Sequence, residues 1–300
     1  MSEKKIAGLI VIFNPCYEHL KDLISTLEKQ VDTIFVINNG CENSVYYKEK
    51  EKYNQNIVKF IEMNGNAGIA AALNKGVAAI YEEGCNYCWF FDQDSIPTQG
   101  SAQSLLKTFF ESETDRSCVA AVVPKIMDLN GNNALPMLVA SSSNTVVETS
   151  ITRKQEVMAA ITSGMLVDVK VWQQTNGAKE SYFIDFVDTE WCFRVRSQGY
   201  KIVCDPAVVL QHRLGAIGPR LLFFIRRPIK LRPAMRTYHF IRNGLLLSRE
   251  SYVPDNWSSY VLMKIVKVSA VGMIFGPNRL EQCRAIVQAI KYACNAKRKP

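Results

Sequence analysis

Apolar residues along this chain follow two rhythms. Short apolar runs (Ile6 to Phe13, Thr33 to Asn38, the run closing on Trp89-Phe90-Phe91-Asp92 and, interrupted by Lys59 and Glu62, Ile57 to Met63) alternate with stretches in which apolar positions recur every three or four residues. Unbroken runs of this length suit strands buried on both faces, and the spaced stretches suit amphipathic helices. Leu20, Leu23, Ile24 and Leu27 share one face of a helix expected over residues 17–30, and an alanine-rich stretch predicts another from about Ile69 to Tyr81. Further strands are expected at 119–126, at 162–167, and as two short pieces, 201–204 and 207–210, around Asp205-Pro206. A helix from about Asp188 to Gln198 ends at Gly199, in keeping with glycine's preference just past helix ends. Residues 128–149 are polar and irregular, a loop or hairpin. Strand, helix, strand in repetition predicts βαβ units, hence an α/β fold with a largely parallel sheet.

After Gln211-His212 the pattern changes to basic-aromatic helices. Between Gln211 and Glu250 stand nine Lys/Arg and one acid, an excess equal to the net charge of +8 for the whole chain. The basic patch is therefore a local device on an otherwise balanced protein. Apolar clusters lie beside cations at Leu221 to Pro228, Tyr238 to Arg242 and Val261 to Phe275. Such segments suit the interfacial plane of an anionic membrane. A helical cap packed on the core, with its arginines solvated, is the simpler alternative, and a nucleic-acid surface ranks far below both. No clean membrane span is expected, because Val261 to Gly276 carries Lys264 and Lys267 and falls short of the ~20 apolar residues a crossing helix needs. Nor does Met1 to Lys5 open a signal peptide. The nine cysteines lack regular spacing, and Cys85 to Cys88 is a lone CxxC with no second pair, so reduced thiols of a cytosolic protein are the expectation. With 300 residues and 48% hydrophobic content, the chain can bury a sizeable core, as one large α/β domain or as a domain plus an appendage.

Several constellations carry candidate chemistry. Asp92 and Asp94 end an aromatic strand, where extended chain would point both carboxylates to one side, at the carboxyl end of a sheet where α/β folds keep ligand crevices. Carboxylates there suit Mg²⁺ or Mn²⁺ bridging to phosphate; for a bare Asp-x-Asp, two solvated aspartates in a turn remain the simpler account. Asn64-Gly65-Asn66-Ala67-Gly68 opens a helix whose amino end favours phosphate, although small residues packing a helix on a sheet explain it equally well. In Phe183-Ile184-Asp185-Phe186-Val187-Asp188-Thr189-Glu190, Asp185 and Asp188 would share a face if both were helical. Glu190 and Arg194 form an i,i+4 ion pair on another face. Asp188 suits a helix cap on spacing alone, and a general base if exposed beside a substrate hydroxyl. His212 follows a strand, either as a structural histidine or as a metal ligand.

Taken in order, these pieces resemble glycosyltransferase family 2 on the GT-A fold: the strand ending Phe13-Asn14-Pro15, Asn38-Asn39-Gly40, the Asn66 to Gly76 stretch, Phe91-Asp92-Gln93-Asp94-Ser95, Ser163-Gly164, the Asp188-x-Glu190 helix and His212. The likeness covers about residues 6–215 and leans toward the rhamnosyltransferase branch of bacterial O-antigen and surface-polysaccharide synthesis. It implies a catalytic domain over 1–215 and a basic amphipathic helical region over 216–300. It implies an inverting, metal-dependent transfer of L-rhamnose from dTDP-L-rhamnose to a lipid-linked oligosaccharide, with Asp94, Asp92 and His212 as ligands of Mg²⁺ or Mn²⁺ and Asp188 as the base. Asn14, Pro15, Asn39, Asn66, Gly68, Asn74, Asp92, Gln93 and Gly164 would lie along the donor. The expected location is cytoplasmic, peripheral on the inner face of the bacterial inner membrane, with no nucleic-acid partner. Two departures stand out: Asn39 replaces an acid common in the family, and Gly177 to Glu180 lacks the usual aromatic-acid pair before the base helix. The alternatives are the same fold using a UDP-hexose, and a non-catalytic membrane-associated binding protein.

Overall fold

A computed structural model of the chain describes residues 4–41, 44–112, 118–128, 133–141, 143, 145–212, 231–276 and 278–296. The Leu221 to Pro228 cluster, the expected boundary at 215/216 and the tail Lys297 to Lys299 lie outside these residues. Two compact units are present. The first is Met1–Ala140, Val147–Phe183 and Val187–Arg213; the second is Ser141–Val146, Ile184–Phe186 and Leu214–Pro300.

The first unit opens with β1 (Ile6–Ile12), α1 (Tyr17–Leu27), β2 (Thr33–Asn38), α2 (Ser44–Lys50), β3 (Val58–Glu62), α3 (Ile69–Glu82) and β4 (Tyr87–Asp92). Every residue of β1 and β2 is buried, as their unbroken apolar runs require. Then come β5 (Ser95–Pro97), α4 (Ser101–Ser112), β6 (Val119–Asp128), β7 (Asn133–Ala134), β8 (Met137–Ala140), β9 (Val146–Thr149), β10 (Gln155–Glu156), β11 (Leu166–Asp168), α5 (Val169–Gln174), α6 (Val187–Ser197) and β12 (Lys201–His212). The main sheet runs β10-β12-β6-β11-β4-β1-β2-β3, with β5 on β12 and β7 on β6, while β8 and β9 pair separately. Strands β4, β1, β2 and β3 are parallel, as are β6 and β12, but β11 is antiparallel to both β4 and β6. The α/β fold class and the largely parallel sheet are as expected, with β11 inserted antiparallel between β4 and β6 and short antiparallel strands at the margins.

Two strand expectations are corrected. The pieces at 201–204 and 207–210 are one strand, β12, because the pairing with β6 slips between Asp205 and Val209 and absorbs Pro206 in a bulge. At 162–167 only Leu166 onward is strand: Gly164 takes a positive φ of 83° in a turn closed by the Met165 amide donating to the Thr162 carbonyl at 3.0 Å, while the Gly164 amide reaches the Phe90 carbonyl of β4 at 2.7 Å. Asp168 then caps α5 by accepting from the Lys170 and Val171 amides. Phe90 and the indoles of Trp89, Trp172 and Trp191 fill the core around β4, with Trp172 4.9 Å from Trp191 and Trp89 donating to the Gly164 carbonyl. Cys88 sits in this core, and burial pushes its thiol well up, so it packs as an inert apolar side chain.

The second unit contains α7 (Ala234–Leu247), α8 (Trp257–Phe275) and α9 (Arg279–Asn295). Trp257, Val261 and Ile265 supply its core, and Gly244 lets α7 approach Val261 and Ile265. Asn256 exchanges two hydrogen bonds with the Val146 backbone, and Asn243 donates to the Ile184 and Asp185 carbonyls.

Candidate active site

Parallel pairing brings several strand ends together. Val11 is level with Asp92, Ile12 with Asn38, and Asn38 with Glu62, so β1, β2, β3 and β4 deliver their carboxyl ends side by side. Sequence placed Asn14, Asn39 and Asp92 at that edge, and the topology agrees.

The two aspartates meet, but not because the strand continues. β4 stops at Asp92, Gln93 and Asp94 form a turn, and β5 starts at Ser95 and pairs antiparallel with the end of β12, with Ser95 opposite His212. This pairing carries His212 to the carboxylates. Asp92, Asp94 and His212 each offer one ligand atom, and the three atoms lie within 4.8 Å of one another. His212 Nε2 is 4.0 Å from Asp92 Oδ2, and Nδ1 is 3.8 Å from Asp94 Oδ1. Two hard carboxylate oxygens beside one imidazole fit a divalent cation.

Behind the triad runs a buried polar chain that sequence reasoning missed. The Asp92 amide donates to Ser163 Oγ at 3.2 Å, Ser163 Oγ lies 2.7 Å from Ser95 Oγ, and Ser95 Oγ lies 2.7 Å from His212 Nδ1. Ser95 is wholly buried and Ser163 nearly so. The only signal available was a serine after Asp94 and another before Gly164.

The expected donor-side residues divide into two groups. Asn39, buried, accepts from the Ala67 amide at 2.9 Å and donates to Asn66 Oδ1, which also accepts from the Gly68 amide. The loop 64–68 is thereby fastened to the end of β2. Asn14 is exposed with a φ of 47°, its amide against Cys41 Sγ, and Pro15 is buried behind it. Gln93 and Asn74 also have their side-chain amides engaged within the protein. Gln93 exchanges hydrogen bonds with the Phe13 backbone at 2.8 and 3.2 Å, acting as a rung between β1 and β4. Asn74 accepts from the Trp172 indole and the Ala178 amide and donates to the Ala178 carbonyl and Glu180. Gly164 serves the turn described above.

A second cluster at the strand ends was not foreseen. Glu62 accepts from Tyr46 and Asn38 at 2.6 Å each and from Lys50 at 2.9 Å. Burial alone would push its carboxyl up, but these hydrogen bonds outweigh it and hold the group below its ordinary value. Asn38 in turn accepts from the Gly40 and Cys41 amides, which shapes the turn after β2.

Asp188 is the second residue of α6, so it lies within the first helical turn rather than at the cap. Its Oδ1 accepts from the Thr189 amide at 2.7 Å and from the Thr189 hydroxyl at 3.2 Å. Asp185 is not helical: Phe183, Asp185 and Phe186 all adopt positive φ near 61–62°, and Asp185 pairs with Arg232 at 3.0 Å and Arg236 at 3.3 Å within the second unit. It therefore shares no helix face with Asp188. Glu190 and Arg194 form the expected ion pair at 2.7 Å, with Glu190 buried, and the guanidinium also donates to the Thr175 and Gly177 carbonyls.

Residues 9–172 match the sequence family described as Glycosyl transferase family 2. The chain belongs to glycosyltransferase family 2. Among characterised proteins it is similar to the dTDP-rhamnosyl transferase RfbF of Shigella flexneri, 28% identical over 258 residues that cover 83% of this chain and 81% of the relative. Among solved structures it resembles GalNAc-T7 with UDP, GalNAc and Mn²⁺, at TM-score 0.65 and 12% identity, over 95% of this chain and 55% of that one. It also resembles S. aureus TarS residues 1–349 in complex with UDP-GlcNAc, at TM-score 0.61 and 12% identity, over 96% of this chain and 81% of that one. The chain spans about half the length of GalNAc-T7 and of the longer TarS structure. At these identities the structural matches establish the fold, the GT-A arrangement of a central sheet flanked by helices. A glycosyltransferase is thus the class of enzyme to which the site belongs.

Proposed function

We propose that this glycosyltransferase transfers L-rhamnose from dTDP-L-rhamnose, with inversion, to a lipid-linked oligosaccharide of O-antigen type at the cytoplasmic face of the bacterial inner membrane. The observation that carries the chemistry is the convergence of Asp92, Asp94 and His212 at the carboxyl ends of the strands. The choice of donor leans on the likeness to a dTDP-rhamnosyl transferase. Asp92, Asp94 and His212 would hold the cation, Mn²⁺ before Mg²⁺ because an imidazole nitrogen joins the set. A cation there supplies positive charge to a leaving diphosphate.

The chain's own residues do the remainder. The Asn39–Asn66 contact fixes loop 64–68 against the end of β2, its Ala67, Gly68 and Ile69 amides taken up by Asn39, Asn66 and the Phe183 carbonyl, and Asn14 closes the opposite flank. Asp188 takes the proton of the acceptor hydroxyl as that oxygen attacks the anomeric carbon, and Thr189, bonded to Oδ1, fixes the plane of the carboxylate. A single displacement of this kind needs one base and no protein nucleophile.

Melting of the protein with a panel of sugar nucleotides, with and without Mn²⁺, tests the donor. A ligand that binds only the native state raises the midpoint by mass action. Metal-dependent stabilisation by dTDP-rhamnose and not by UDP-hexoses is expected. A response confined to a UDP-sugar would keep the enzyme class and overturn the donor. For the base, Asp188→Asn should lower transfer by at least about a hundredfold while leaving the donor-induced shift in place. Unchanged turnover would remove Asp188 from the mechanism, and a wild-type protein that binds donor without turnover would point to a non-catalytic binding protein.

A further inference from the structure

α8 is apolar on more than one side. Trp257, Val261, Ile265 and Gly272 are buried within the second unit, while Leu262 (53% exposed), Met263 (69%), Val266 (61%), Met273 (42%) and Ile274 (55%) form a second stripe at helical spacing that is open to solvent. The helix is longer than the sequence suggested, 19 residues from Trp257 to Phe275 with a mean hydropathy of 1.5, yet only 22% of its most apolar window is buried. A helix apolar all round is at home in a core or in lipid, and exposed apolar stripes of this extent on a soluble protein mark contact surfaces.

We propose that this outer stripe of α8 seats in the plane of an anionic phospholipid surface. Charge on the page selects that occupant. α8 contains no acid and two lysines, Lys264 and Lys267, and residues 231–296 hold nine Lys/Arg against three acids. A second copy of the same positive, apolar face would bring like charges together, whereas an anionic leaflet complements them. The seating is in-plane rather than crossing. α8 packs along its inner face on α7 and α9, and α9 exposes Arg279, Glu281, Arg284 and Lys291, which a crossing would carry into hydrocarbon. The proposal rests on the preceding reading for its purpose, since a lipid-linked acceptor is presented at such a surface.

Flotation of the full-length protein with phosphatidylcholine vesicles, with and without phosphatidylglycerol, tests it. The wild type should float with the mixed vesicles and not with neutral ones. Met263→Asp combined with Val266→Asp, at two of the most exposed positions of the helix, should weaken that partitioning by about tenfold or more while leaving the melting midpoint unchanged. Lys267→Gln should weaken it less. No binding by the wild type, or equal binding by the double variant, would overturn the assignment. So would a wild-type dimer in vesicle-free buffer that the double variant makes monomeric, since the face would then belong to a second copy. The sugar-nucleotide melting assay, run without vesicles, separates the two questions: vesicle binding with no nucleotide response would leave the docking face standing and remove the transferase reading.

Discussion

At the scale of single residues, the decisive positions are those with no freedom to be anything else. Gly68 has φ +87°, and a Cβ there would come within 2.5 Å of the Phe183 ring and 2.8 Å of the Phe183 carbonyl, which also accepts from the Ile69 amide at 2.8 Å. Gly68→Ala should therefore cost roughly 1–3 kcal/mol from the backbone conformation alone, with more from the displaced carbonyl, and urea denaturation would measure it. Ser95 is the neighbour of His212 Nδ1, the pattern by which a partner on one ring nitrogen orients a ligating imidazole. Ser95→Ala should weaken Mn²⁺ binding by about tenfold or more, read by calorimetry, with the melting curve of the metal-free protein as control. Asp92, Asp94 and His212 were legible in the sequence as a candidate set. Ser95 and Ser163 were not, because a serine carries no distinguishing pattern until the fold places it against a histidine. Gln93 and Asn74 likewise make contacts that no local pattern announced, with the Phe13 backbone and the Ala178 loop.

At the scale of elements, the apolar runs located β1, β2, β4 and β6 because a strand covered on both faces has little polar alternation to blur it, and β3, half-exposed at the sheet edge, was located despite Lys59 and Glu62. Short elements such as β5 and α5 escaped notice, three and six residues being too few for any period to show. β5 matters most, since its pairing with β12 brings His212 to the aspartates. α6 depends on the Glu190–Arg194 pair, which ties the helix to the Thr175 and Gly177 carbonyls. Removing one partner of a buried pair leaves an uncompensated charge, so Glu190→Ala should destabilise the protein by roughly 3–5 kcal/mol. The double replacement of Glu190 and Arg194 by apolar residues of similar volume should recover part of that loss, and a chemical-denaturation cycle over the four proteins would test both statements.

At the scale of the molecule, the two units carry different acid sensitivities. Burial and the nearby Arg242 lower the affinity of His239 for a proton in the second unit. Below the ordinary histidine value the unfolded chain takes up a proton that the folded one resists, so stability falls as pH drops through about 6.5. Glu62 in the first unit is depressed below its model-compound value of 4.5, so its stabilisation is present above that value and is lost as pH falls through the lower folded value. Melting followed between pH 7.5 and 5.5 should show a decline that His239→Gln flattens, while a further decline below about pH 4.5 persists in that variant. The α/β class, the longer strands of the sheet, the aspartate pair and the basic, apolar character of the carboxyl-terminal helices were legible in the chain alone, because each is written in local composition and period. The order of the strands, the antiparallel β11, the meeting of His212 with Asp92 and Asp94, the non-helical backbone of Asp185 and the face of α8 left open emerged with the folded chain. Those depend on pairings between residues far apart in the chain, which burial and hydrogen-bond satisfaction select and no local pattern records.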